Sequence, residues 1–370
     1  MIYFDNAATT PLLPEVIGEM NRIFKNVWGN PSSVHTVGQI AKSELENSRN
    51  TIANILSAKN SEIFFTSSAT EAISLMIPTI VNNNKIEHII SSPIEHSAVK
   101  KTLKSISTAQ THILDLKEDG EINLEDLESK LTLLSGNKLV VLMHANNEIG
   151  TLLPLKKVSE LCTQHQALFF CDMVQTVGKY DINFENIHID FAAASAHKFH
   201  GPKGAGFLYI KSGKKYPPLI HGGGQERDMR SGTENLPAIV GMTSALKLAI
   251  DNKESRFQHI TALKTQFINE LKALYPDMKF HGKSDKNGLY TLVNMALPSQ
   301  LSSEIINMKL DLHGLAASQG SACSSGVMKK SAVISHLYGE NTNALRISFS
   351  HLNTFEEVAE SVKIISQILK

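Results

Sequence analysis

The chain has 370 residues, 42% of them hydrophobic, enough for a large core and for two domains. Its 36 basic and 36 acidic residues cancel, so neither a basic face for nucleic acid nor attraction to an anionic membrane surface is expected. Three scattered cysteines, Cys162, Cys171 and Cys323, argue against a disulfide framework and for a reducing, cytoplasmic setting, and no apolar run approaches the roughly 20 residues of a membrane helix.

The first residues, Met1 to Asn6, lack a basic stretch followed by a long apolar run, so no secretory signal is expected. Strands are predicted over 62–66, 88–91, 112–114, 139–144, 168–172, 191–194 and 206–210. Most are continuous apolar runs, as expected where a sheet is covered on both faces. Helical periodicity separates them, for example over 154–166, where Leu155, Val158, Leu161 and Cys162 share a face. Pro78 should kink or shorten the helix after the first of these strands. The alternation predicts an α/β domain on a mainly parallel seven-stranded sheet.

After about residue 250 the texture changes. A long amphipathic helix is predicted over 253–274, a strand over 289–297, a helix near 302–310 and a strand over 345–350. The last helix, 354–369, opens with Thr354 and Glu357 in a capping box. This reads as a smaller α+β domain, 253–370 with 1–14, beside a large domain of 15–252.

In such sheets ligands gather at the carboxyl ends of the strands. Ala69 and Thr70, His96, Asn147, Asp172, and Ser195 through Lys198 all fall there. Lys198 is placed to carry an aldehyde covalently, and Asp172 to keep a pyridine nitrogen protonated, which suggests a pyridoxal 5′-phosphate (PLP) site. Lys203 competes for the lysine role, although its Gly/Pro-rich surroundings suit a loop. Ser67 to Glu71 reads either as a phosphate cradle at a helix start or as a plain N-cap. Asp172 reads as a cofactor partner or a cap, with Gln175 and Asn147 near a phenolic oxygen. His96 reads as a ring-stacking acid/base or as a histidine bonded to its neighbours. The Gly-rich stretches 221–226 and 230–233 permit close backbone approach, or form a surface loop. Arg346, inside an apolar strand, needs a partner, either a substrate carboxylate or a structural carboxylate. Cys323 lies among Gly, Ser and Ala rather than in an apolar pattern, which suits a thiol that moves and reacts once ionised.

Taken in order, these segments resemble the cysteine desulfurases of the NifS/IscS type, within the class-V aminotransferase-like, fold-type I PLP enzymes. The resemblance rests on residues 3–11 (YFDNAATTP), 29–33 (GNPSS), 70–71 (TE), 95–96 (EH), 146–150 (NNEIG), 172–175 (DMVQ), 197–198 (HK), 221–225 (HGGGQ), 230–233 (RSGT) and 320–323 (GSAC). It implies that Lys198 holds PLP and moves protons, and that His96 stacks on the ring and acts as acid/base. Asp172 would pair with the ring nitrogen, and Asn147 and Gln175 with the phenolic oxygen. Backbone at Ala69 and Thr70, with Ser195 and His197, would hold the phosphate. Thr233 would reach the phosphate of a second subunit in a homodimer. Arg346, with Asn30, would bind the carboxylate of L-cysteine. Cys323 would take the substrate sulfur, leaving L-alanine and a persulfide for an acceptor, either an iron–sulfur scaffold or a tRNA-thiolation enzyme. The chain stops 24 residues after Arg346, so the long docking tail of some relatives is expected to be absent. Rival readings are a selenocysteine lyase, a small-amino-acid aminotransferase, or a sulfur carrier that has lost its cofactor. No metal is expected.

Overall fold

The computed structural model describes residues 1–298, 303–320 and 330–369. In chain order the strands are β1 (Ile2–Tyr3), β2 (Ile63–Thr66), β3 (His88–Ser91), β4 (Gln110–Ile113), β5 (Lys138–Met143), β6 (Leu168–Asp172), β7 (Phe191–Ser195), β8 (Gly206–Ile210), β9 (Leu292–Leu297), β10 (Leu315–Ala316) and β11 (Asn343–Ser348). Seven of them form the central sheet in the order β2-β8-β7-β6-β5-β3-β4. Its strands run parallel except β8, which is antiparallel to both β2 and β7. This is the α/β architecture on a mainly parallel seven-stranded sheet expected from the sequence.

Alternation along each strand divides its side chains between two cores. Phe65, Ile90, Val140, Phe169, Ala192 and Phe207 enter one, with the helices Pro14–Asn26, Thr36–Ile55, Leu155–Gln164 and Leu236–Asp251. Phe64, Ile89, Val141, Phe170, Phe191 and Leu208 enter the other, under Ala69–Asn83 and Ser97–Ser105. Covering on both faces is why these strands read as unbroken apolar runs.

The helix Ala69–Asn83 runs through Pro78 and is not shortened there. Ile73, Met76, Ile77 and Ile80 are buried along it, and this packing holds the helix across the missing backbone bond. A third core joins Phe4 to Leu263, Phe267, Val293, Ile347 and Val362. Here β9 and β11 pair antiparallel, and β1 pairs with β10, so the first residues close onto the last third of the chain. Thr354 Oγ1 accepts from Glu357 N at 3.2 Å and Glu357 Oε2 accepts from Thr354 N at 3.1 Å, the capping box read from the sequence. Among the described residues no helix is long and apolar enough to cross a membrane.

The Gly-rich stretch is an anchored loop. Glu226, Arg227 and Asp228 all have left-handed backbone, at φ 50°, 56° and 64°. Such geometry costs free energy and needs outside support. Glu226 supplies it: its carboxylate accepts from Arg49 at 2.7 and 2.9 Å and from Phe65 N at 2.7 Å, all out of solvent. Glu226→Gln strips the Arg49 guanidinium of its buried carboxylate and leaves it the half-exposed Glu46 at 3.1 Å, which is expected to cost about 3 kcal/mol. A lowered urea midpoint measures this, and an unchanged midpoint contradicts it.

Candidate active site

A cavity opens at the carboxyl ends of the parallel strands, where the sequence placed the chemistry. Ala69, Thr70, His96, Asn147, Asp172, Gln175, Ser195, His197, Lys198 and Arg346 all line it, together with Ala7 and Ala8. Lys203 is exposed and is not among the lining residues. Two expected residues are not brought in. Asn30 is exposed, and its Oδ1 accepts from Ser32 N at 2.9 Å in the turn before the helix Thr36–Ile55. Thr233 is also exposed and stands outside the lining. Cys323 lies outside the described residues.

Lys198 follows β7 in a single helical turn, and its Nζ donates to the carbonyls of Ala7 and Ala8, each at 2.7 Å. The N-terminal segment that reaches it is tied down at Thr10, whose N and Oγ1 donate to His197 O at 2.9 and 3.0 Å. Asp172 ends β6 and is buried, and its Oδ1 accepts from Val174 N at 3.0 Å. Burial pushes its carboxyl above the usual range, opposed by His96, by the Val174 N–H and by Lys198.

His96 is the N-cap of Ser97–Ser105, its Nδ1 accepting from Ala98 N at 3.1 Å. In the neutral ring that bond assigns the remaining proton to Nε2. The cap reading and the cavity reading of this residue therefore hold together. Ser195 Oγ accepts from Ala69 N at 2.8 Å at the start of Ala69–Asn83, leaving its own hydroxyl proton to donate into the cavity. His197 Nδ1 lies 3.2 Å from Thr9 Oγ1, and burial, then the charge of Lys198, brings the ring down to about 4. The ring is neutral at pH 7, and in the tautomer whose Nδ1 accepts from Thr9 Oγ1 the Nε2 is a donor.

Gln175 Nε2 donates to Ala7 O at 3.0 Å, and its Oε1 accepts from Lys179 at 3.1 Å. Arg346 is fully buried. Its Nη1 donates to Asn147 O at 2.9 Å, and its Nη2 to Asp5 Oδ1 at 2.8 Å. Arg346 Nε is buried with no hydrogen-bond partner among the described residues. Both readings of this arginine are thus present: a structural carboxylate at one nitrogen and an unsatisfied donor at another.

Two residues given no role from the sequence stand outside the cavity lining but beside its residues. Glu95 is buried one position before His96; burial, then the Asp172 charge, pushes its carboxyl up to about 8, while Ser92 Oγ donates to it at 2.6 Å. Nothing in the pattern of a lone Glu beside a His signals this. Lys179 is another, and its spacing of four from Gln175 was the available sign.

The donor set suits PLP. An amine stands near a buried acid, a 15-residue helix directs its first turn at the cavity, and hydroxyl and imidazole donors flank that turn. The orphaned Arg346 Nε adds a cationic donor of the kind a carboxylate satisfies.

Comparisons with known proteins agree with this chemistry. The family model described as aminotransferase class-V matches residues 2–360. A cysteine desulfurase IscS of Clostridium botulinum (strain Hall) is 36% identical, covering 100% of this chain and 94% of that protein. A solved NifS-like protein superimposes with a TM-score of 0.91 at 34% identity, covering 100% of this chain and 99% of that one. The structure titled SspA in complex with cysteine gives a TM-score of 0.79 at 30% identity, covering 96% of this chain and 100% of that one.

Proposed function

The chain belongs to the class-V aminotransferase family and is a cysteine desulfurase, and we propose that Lys198 carries PLP while Cys323 receives the sulfur of L-cysteine. The observation that carries this reading is the convergence of Lys198, Asp172 and Arg346 on one cavity.

Asp172 would pair with the ring nitrogen. Asn147 and Gln175 would meet the phenolic oxygen. The Ala69 and Thr70 backbone, Ser195 and His197 would hold the phosphate, with Thr233 of a second copy. Bound PLP supplies an electron sink that acidifies the substrate α-carbon and activates its bond to sulfur. The chain's own groups do the rest. Arg346 would orient the substrate through its carboxylate, Lys198 would take and return the α-proton, and His96 would face the bound ring and exchange protons through Nε2. The Cys323 thiolate attacks the substrate sulfur; the carbon–sulfur bond breaks and a sulfur–sulfur bond forms. L-cysteine and one thiol thereby become L-alanine and one persulfide, with no outside oxidant.

The described residues on either side support this role for Cys323. Ser318 pairs with Arg346 in both directions, at 2.6 and 3.3 Å. Five residues of chain separate Ser318 from Cys323, a tether of at most roughly 17 Å. A homodimer is supported by exposed Phe24, Trp28 and Val34, at 62%, 76% and 90% accessibility, and by the exposure of Thr233. A cytoplasmic setting, and a sulfur acceptor of the iron–sulfur scaffold or tRNA-thiolation type, complete the proposal; Cys162 and Cys171 are free thiols, as a reducing compartment would leave them.

The test is to incubate the PLP-loaded protein with L-cysteine and to analyse both peptides and native mass. One added sulfur atom on the peptide containing Cys323, released alanine and a two-chain mass are expected. Cys323→Ala that turns over L-cysteine at the full rate would refute the thiol's part.

A further inference from the structure

We propose that Lys179 is a positioning residue, which sets the orientation of the Gln175 amide and so the donor that Gln175 offers to the cofactor. The inference rests on the reading of Gln175 as a cofactor contact and adds a residue outside that contact set.

The turn after β6 brings the two together. Thr176 N and Val177 N donate to Met173 O, and Lys179 N and Tyr180 N donate to Thr176 O, all at 3.0 Å. This winding places residues 175 and 179 on one side. Gly178 has φ of +76°, and a Cβ there would stand 3.0 Å from Phe199 Cβ, so the turn needs glycine. Lys179 Nζ then donates to Gln175 Oε1 at 3.1 Å.

An amide placed between two partners can usually turn over, exchanging oxygen and nitrogen. Here it cannot do so freely. A charged amine only donates and the Ala7 carbonyl only accepts, so the two partners together set the oxygen toward Lys179. The nitrogen therefore faces the cavity. One N–H goes to Ala7 O at 3.0 Å, and the second remains for a ligand. Ala7 O also accepts from Lys198 at 2.7 Å, so Lys179, Gln175, Ala7 and Lys198 form one hydrogen-bonded chain. Burial, then the charge of Lys198, brings the Lys179 amine down to about 7. An amine kept near neutrality can hold the oxygen without setting a second full positive charge beside Lys198.

The test is a double-mutant cycle read on the affinity for added PLP and on the visible absorbance maximum of the loaded protein. Lys179→Met keeps the apolar stem and removes the donor. It is expected to weaken PLP retention about three- to tenfold, the worth of one net hydrogen bond, and to shift the absorbance maximum. Lys179→Arg, which keeps a donor, should recover most of both. In a Gln175→Ala background, Lys179→Met should change neither. An undiminished penalty in that background overturns the inference while leaving Gln175 as a contact. Unchanged PLP affinity in Gln175→Ala alone removes the contact itself, and the inference with it. Should Lys179→Met fail to fold, Lys179→Leu, which also lacks a donor, takes its place with the same expected loss, and an unchanged affinity there overturns the inference.

Discussion

Lys198→Ala is expected to abolish covalent cofactor attachment and to lower desulfuration by more than about 10³-fold, because one substitution removes both the tether and the proton carrier. The surroundings single out this amine. Two carbonyls from the start of the sequence, Ala7 O and Ala8 O, hold it at 2.7 Å within the cavity that Asp172 also lines. The alternatives are placed differently. Lys203 is exposed and outside the lining, and Lys179 donates to Gln175. Borohydride reduction of the loaded wild-type protein, followed by digestion and mass spectrometry, should put the cofactor mass on the peptide containing residue 198. The variant treated in the same way should carry none. A label on Lys203 or Lys179 would remove the basis of the proposed chemistry.

Much of this placement was legible in the sequence because burial leaves a plain signature. The runs at His88–Ser91, Leu168–Asp172 and Gly206–Ile210 were read to the residue, each a short apolar stretch between polar or glycine boundaries. At the sheet edge the signal weakened: Gln110–Ile113 is only partly covered, its pattern mixes polar and apolar residues, and the strand expected over 112–114 starts two positions earlier and ends one earlier. The helix Leu236–Asp251 was not read because it is apolar nearly all round, with ten buried residues and no polar face to set a period.

The site divided along the same line. Side chains at strand ends were found because their position follows from the strand. Asn30 and Thr233 came from the resemblance alone, and within one chain neither lines the cavity. The acceptors that hold Lys198 were invisible for another reason: they are backbone carbonyls of alanines some 190 residues away, and any residue type supplies a carbonyl. Asp5 went unnoticed as the partner of Arg346 because that pairing spans 341 positions and is made by tertiary closure of the first residues against β11.

That pairing gives the second large effect. Arg346→Gln is expected to raise the KM for L-cysteine roughly 100-fold, the worth of a charge-assisted pair of hydrogen bonds to a carboxylate. Asp5 occupies Nη2 at 2.8 Å and Asn147 O occupies Nη1, while Nε is buried without a partner among the described residues. A substrate carboxylate can satisfy Nε and share the neighbouring nitrogen with Asp5. Arg346→Lys keeps a charge but loses the planar fork, so it should recover little of the affinity. The substitution also strands the Asp5 carboxylate, and the two consequences must be separated. In Asp5→Asn/Arg346→Gln the uncompensated charge is gone, so the thermal midpoint should recover. The KM should not, because the carboxylate still lacks its cationic partner. Should the double variant regain both stability and wild-type KM, Arg346 would be a structural ion pair alone, and the substrate's carboxylate would have to be held elsewhere in the cavity.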